Sequence, residues 1–128
     1  MSDIIEPGFK LSNLLAEVQA VFANNEKAKQ EQIKKVNGIF ELHSKNDAGK
    51  EGIWTIDLKK EGKVTKGAST AKPDVIISCS DDNFIAISQG KLNGQKAFMT
   101  GKLKAKGNIM LATKMEGVLG AAKPKAKL

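Results

Sequence analysis

The chain has 128 residues and a mass of 13.7 kDa, enough for one substantial core and too few for two; 41% hydrophobic and 27% charged residues is the make-up of a globular domain. A single cysteine excludes a disulfide scaffold and fits a reducing intracellular compartment, no apolar run is long enough for a membrane-spanning helix, and the acidic start at Asp3 and Glu6 is not expected to be a secretory signal. All 21 basic residues are lysine, with net −1 over residues 1–90 and net +8 over 91–128; the C-terminal third should attract anions, while the lack of arginine argues against nucleic-acid readout.

Residues 8–23 predict an amphipathic helix: Phe9, Leu11, Leu14, Leu15, Val18 and Phe22 recur at helical spacing behind Pro7. After Asn24-Asn25, residues 26–35 predict a second, very polar helix that should lie on the surface. The period then changes to two. In residues 36–45, Gly38, Phe40 and Leu42 face one way and Ile39, Glu41 and His43 the other. A turn at 46–50 leads to a strand over 53–59, and a second turn to a short edge strand at 64–66, the three forming an antiparallel meander. A polar loop, 67–73, precedes a strand at 74–79 rich in β-formers. Ser80-Asp81-Asp82 reads as a helix start and Gly90 as its stop. Asn93 caps a short helix through Thr100. Residues 102–106 alternate strictly, with lysines outward. Asn108 caps a last helix through Met115, and residues 117–128 read as a tail. This order predicts an α+β fold: a mixed, mainly antiparallel five-stranded sheet with helices on one face.

Chemistry-bearing residues are sparse. His43 is the only histidine and reads as exposed on the polar side of its strand; Cys79 reads as a buried structural thiol. Neither has a metal-ligand neighbour at usable spacing. Asp81-Asp82 reads as a helix-start cap in preference to a catalytic carboxylate pair. No nucleophile elbow, phosphate-binding loop or dinucleotide fingerprint is present. A binding protein is expected, not an enzyme, with no metal and no cofactor. The late short helices carry much of the Met and Phe content. Two readings stay open here: an ordinary core, or one that splits to house an apolar ligand.

The segments Ser80-Asp81-Asp82-Asn83-Phe84-Ile85-Ala86-Ile87, Gly90-Lys91 and Ala97-Phe98-Met99-Thr100-Gly101-Lys102-Leu103-Lys104-Ala105-Lys106-Gly107-Asn108 are similar to the signature of the sterol carrier protein type 2 family, the nonspecific lipid-transfer proteins. Ile33-Lys34-Lys35-Val36-Asn37-Gly38-Ile39-Phe40 and Trp54 fit in the same order. The resemblance covers about residues 8–119 and points to the stand-alone form similar to fungal peroxisomal members. A departure is Ala105, where relatives often hold a bulkier apolar residue; the smaller side chain would widen the cavity. The resemblance implies a domain over 1–119 with an apolar tunnel between sheet and helices that takes fatty acids, fatty acyl-CoA, sterols or phospholipids.

On this reading the wall is Phe9, Leu14, Leu15, Val18, Ile33, Phe40, Trp54, Ile56, Ile77, Phe84, Ile87, Phe98, Met99, Leu103, Ile109, Met115, Val118 and Leu119, with Val118-Leu119 as a lid. Lys91, Lys96, Lys102, Lys104 and Lys106 would attract a CoA phosphate or make transient contact with an anionic membrane, or else form a solvated face. In the tail, 120–128, Ala126-Lys127-Leu128 resembles a peroxisomal address read by an import receptor. A monomeric lipid carrier of the peroxisomal matrix is expected. Two rivals are a binder of nucleic acid or anionic surfaces using the basic C-terminal third, and an acyl-CoA hydrolase or isomerase using His43 as base.

Overall fold

A computed structural model of the chain describes residues 4–59, 61–68 and 72–120. The elements follow in the order α1 (Lys10–Asn24), α2 (Glu26–Val36), β1 (Gly38–Lys45), β2 (Glu51–Leu58), β3 (Lys63–Lys66), β4 (Val75–Ser80), α3 (Asp81–Ser88), α4 (Gly94–Met99), β5 (Leu103–Gly107) and α5 (Ile109–Gly120). Every expected element is present. The sheet runs β3-β2-β1-β4-β5, antiparallel except where β1 and β4 lie parallel. The helices pack on one face, because both the strand and helix periodicities gather their apolar residues on one side.

In α1, Leu11, Leu15, Val18 and Phe22 form one buried stripe. The helix begins at Lys10, two residues later than its apolar pattern suggests. Phe9 at its N-cap has no side chain able to cap, and the cap comes from elsewhere in the chain. In α2 only Val36 is buried, as its polarity requires. Asn25 caps it by accepting the Ala28 N–H at 3.0 Å. Asn37 ends it in the left-handed conformation, φ 47°, and donates its N–H to the Ile33 carbonyl at 2.8 Å.

Phe40 pairs with Ile56 and Leu42 with Trp54 across the β1–β2 ladder, and Leu42 with Ile77 across β1–β4. All five are fully buried on the helix-facing side. The opposite face is less open than the alternation suggests: Ile39, Glu41 and Thr55 are also buried there. Described residues after β3 and before β4 bond to the sheet here: Thr55 Oγ1 donates to the Gly67 carbonyl at 2.8 Å, and the Asp74 carboxylate accepts the Ile39 N–H at 2.8 Å. At the far side of the sheet Gly107 pairs with Val75 at φ +104°, where an added Cβ would lie 2.5 Å from the Asp74 carbonyl oxygen. Only glycine fits that approach.

The last helix corrects the sequence reading. It does not stop at Met115 but continues to Gly120, so residues 117–120 are helix and not tail. Val118 and Leu119 are buried, and their packing outweighs the cost of about 1 kcal/mol for a glycine at 117. At the other end of the chain the segment before α1 is strapped to the core. Ile4 is buried, the Trp54 indole N–H donates to its carbonyl at 2.8 Å, and Phe9 meets the Trp54 ring edge-on with centroids 5.2 Å apart.

Candidate functional site

Most of the expected wall converges on one apolar core. Phe9, Leu15, Val18, Phe40, Trp54, Ile56, Ile77, Phe84, Ile87, Leu103, Met115, Val118 and Leu119 are all buried and contiguous, with Leu14 and Ile33 packed against the cluster's margin. Sequence reasoning passed over Leu42, Leu58, Leu111 and Ala112 as wall, which lie in the same cluster. The first two followed from strand alternation; Leu111 was visible in its helix but had no partner assigned.

Phe98, Met99 and Ile109 behave differently. They stand at the surface, 40%, 74% and 39% exposed. They rim an apolar pocket of about 220 Å³ between the end of α4, the start of β5 and the first turns of α5. Leu103 and Ala112 also line it, and both belong to the buried core. The pocket is therefore a surface opening whose inner wall is the core itself. Its volume is below the roughly 300–1,000 Å³ of most ligand pockets. The helix α4 has six residues, too few to be stable without tertiary packing.

The five lysines singled out from the sequence do not form one cluster. Leu103 is buried, and alternation along β5 puts Lys104 and Lys106 on the opposite face of the sheet from the helices. There they share a shallow groove with Ser78, Ile76 and His43. Lys91 and Lys96 lie instead on the α3–α4 connection and α4, and Lys102 in the turn that follows.

His43 is not the exposed residue its strand pattern suggests. Its side chain is 20% exposed; Nε2 lies 2.7 Å from the buried Glu41 carboxylate and Nδ1 3.5 Å from Glu51. It sits across the sheet from the apolar pocket and has no access to a ligand held there. Cys79 is partly buried, its thiol pushed up to about 12 by burial, with the nearby Asp81 charge adding to the effect. Asp81 is also reassigned. Ser80, not an aspartate, caps α3 by accepting the Asn83 N–H at 3.1 Å. The buried Asp81 carboxylate accepts the Lys10 and Leu11 N–H groups at 2.7 and 2.9 Å, and so caps α1. Asp82 pairs with Lys10 at 3.0 Å on the surface, which raises the lysine's affinity for its proton. Among the described residues no three His, Cys, Asp or Glu side chains are grouped to hold a metal, and no helix is long and apolar enough to cross a membrane. The tail tripeptide Ala126-Lys127-Leu128 lies outside the described residues.

Comparison with known proteins gives a consistent answer. Residues 16–120 match the model of the SCP-2 sterol transfer family. The chain is 43% identical over 122 residues to the oleate-induced peroxisomal protein POX18 of Candida maltosa, covering 94% of this chain and 95% of that protein. It is 48% identical over 95 residues to a fatty acid-binding protein of Yarrowia lipolytica, covering 73% and 74% respectively. The apo structure of sterol carrier protein 2 from Yarrowia lipolytica superposes with a TM-score of 0.87 at 38% identity, over 97% of this chain and 100% of that one. The family model over residues 16–120, a relative matched over 94% of the chain and a solved structure superposed over 97% of it lead to one conclusion: this chain belongs to the SCP-2 sterol transfer family.

Proposed function

We propose that this protein carries long-chain lipids, fatty acids foremost, between the sheet and its helices, without catalysis. The observation that carries the reading is the apolar pocket between α4, β5 and α5, whose inner residues Leu103 and Ala112 are themselves core residues. A chain entering there moves from Phe98, Met99 and Ile109 at the rim toward Met115, Val118 and Leu119 inside. Each CH₂ removed from water contributes about 0.8 kcal/mol, so ~16 carbons offer on the order of 12 kcal/mol gross. Displaced packing and lost motion consume much of it, leaving affinities of roughly −8 to −12 kcal/mol. Hydrophobic burial is non-directional, so sterols, phospholipids and acyl-CoA would compete with fatty acids to varying degrees.

The fatty acid-binding relative and the oleate-induced peroxisomal relative support both ligand class and place. Peroxisomal import would be read from Ala126-Lys127-Leu128 by a receptor. The structure favours carriage over acyl-CoA hydrolysis, since His43, the one candidate base, lies on the far face of the sheet and is engaged by Glu41.

Titration with a fluorescent long-chain fatty acid, followed by displacement with unlabelled lipids, tests the proposal. Saturable uptake near one ligand per chain is expected. A complete lack of saturable uptake for every long-chain lipid tried would overturn it.

A further inference from the structure

The two edges of the sheet differ. At the β3 edge the Val64 N–H, which points away from β2, donates to Gln19 Oε1 of α1 at 3.2 Å. The β5 edge has no such cover. Beside the pairing of Gly107 with Val75, the Asn108 N–H donates to the Asp74 carbonyl at 2.8 Å. Alternation from that bond turns the main-chain groups of Lys106 and Lys104 toward β4 and those of Ala105 and Leu103 away from the sheet. Among the described residues no hydrogen bond reaches the outward-turned groups of Leu103 and Ala105. An open row of N–H and C=O groups is a template for one more strand.

The side chains beside this edge select the strand. On the face away from the helices Lys104 and Lys106 stand out from β5, and among the described residues neither pairs with a carboxylate. On the helix face Leu103 lines the apolar pocket rimmed by the exposed Phe98, Met99 and Ile109. A strand added to β5 alternates in step with it: residues opposite Lys104 and Lys106 fall on the lysine face, and residues opposite Leu103 and Ala105 on the helix face. A second copy of this chain does not fit. Two β5 strands paired antiparallel about Ala105 would set Lys104 of each copy directly against Lys106 of the other, and like charges so placed repel. Lysines protect an edge from self-pairing in this way, but they favour a strand that carries carboxylates at those positions.

We propose that β5 is a docking edge for an extended segment of another protein in which acidic and apolar residues alternate. Its main chain pairs with Leu103 and Ala105, its carboxylates meet Lys104 and Lys106, and its apolar side chains cover Phe98, Met99 and Ile109. The main-chain bonds supply affinity and the alternate side chains selectivity. The five residues of β5 set the length of the match, about 17 Å of extended chain. A bound segment also narrows the mouth of the pocket and so hinders passage of a lipid. That last consequence rests on the carriage reading; the docking itself does not.

The probe is an acetylated, fluorescein-labelled hexapeptide of alternating glutamate and valine, titrated into the intact protein and followed by fluorescence anisotropy. Saturable binding is expected, weaker in high salt, with the amide resonances of Leu103 and Ala105 among the most shifted. The valines fall opposite Leu103 and Ala105 and carry the donors that face β5, so N-methylating them should weaken binding roughly tenfold or more. A lysine–valine peptide of the same length should not bind. Ala105→Pro removes an N–H that no strand of the sheet uses, and should also weaken binding roughly tenfold. The double variant Lys104→Glu, Lys106→Glu changes only exposed side chains. It should keep the parent's unfolding midpoint, lose roughly tenfold for the glutamate–valine peptide and gain affinity for the lysine–valine one. That reversal decides the matter even if the proline variant does not fold. A lack of saturable binding overturns the proposal. So does binding indifferent to N-methylation or to the lysine reversals, and so does a chain that dimerises through β5 in sedimentation. Peptide binding by a protein that takes up no fatty acid upholds the docking edge and removes the carriage reading alone.

Discussion

Asp81 Oδ1 accepts the backbone N–H of Leu11 at 2.9 Å across 70 residues of sequence. Its second oxygen accepts the Lys10 N–H at 2.7 Å, and Ser44 Oγ donates to Oδ1 at 3.2 Å from β1. One buried carboxylate thus caps the first helix, opens the third and touches the central strand. Replacing it with alanine leaves two N–H groups of α1 and the Ser44 hydroxyl without an acceptor inside the protein. Asp81→Ala should cost about 2–4 kcal/mol, and Ser44→Ala about 1 kcal/mol. Urea midpoints measure both. An Asp81→Ala protein as stable as the parent would show that water satisfies these donors and that the cap is incidental.

The strap before α1 should respond to pH. Glu6 lies 2.9 Å from Lys66 and 3.5 Å from Lys50, and its hydrogen-bonded pairing with Lys66 holds its carboxyl below the ordinary value near 4.5. A carboxylate whose affinity for protons drops on folding stabilises the folded form above its unfolded value and ceases to do so as pH falls through the folded one. The strap should therefore loosen below about pH 4.5, more readily in high salt, and Glu6→Gln should remove that pH response. Trp54 is the only tryptophan and donates to Ile4 in the strap, so its emission reports the change directly. Identical acid titrations of Trp54 emission in the parent and Glu6→Gln proteins would count against the ion pair as the cause.

The arrangement of elements was legible because it is periodic. The apolar stripe of α1, the alternation of β1 and β2 and the asparagine cap of α4 are all local patterns. What stayed hidden depends on partners distant in sequence. Nothing around Lys10 reveals that its cap is Asp81, and nothing near Gly117 reveals that Val118 and Leu119 will be covered and the helix extended. The site divides the same way. Its buried wall could be read from hydrophobic spacing, but Phe98 and Ile109 have the same residue character as Phe84 and Ile87. Only the packing of α4 beside α5 leaves the first pair at the surface and the second in the core.

Cys79 should be nearly inert in the folded protein. With its thiol pushed up to about 12 from an ordinary 9.0, a given pH yields on the order of a thousandfold less thiolate, and the thiolate is the form that alkylates. Iodoacetamide at mildly alkaline pH should modify the native chain far more slowly than the urea-unfolded chain. Equal rates would mean that β4 opens on the timescale of the reaction.

The extension of α5 gives the sharpest test of how firmly the pocket's inner end is closed. Val118 and Leu119 are 1% and 0% exposed, against Met115 and the core. If this last turn is an integral part of the core, Leu119→Ala should destabilise by about 2–5 kcal/mol, the range for deleting a buried leucine side chain. If the turn is a lid that opens readily, the same change costs well under 1 kcal/mol, because local opening already exposes the site. Hydrogen exchange of the amides of residues 115–119 separates the two without mutation: protection near the global unfolding free energy indicates core, and fast exchange indicates a lid. The burial favours core. A ligand would then enter by shifting α4 and the exposed Phe98, Met99 and Ile109 at the near end, while the far end of α5 stays seated. Saturating fatty acid should accordingly alter exchange in residues 94–103 more than in residues 115–119, and the reverse pattern would place the entrance at the helix's C-terminal end.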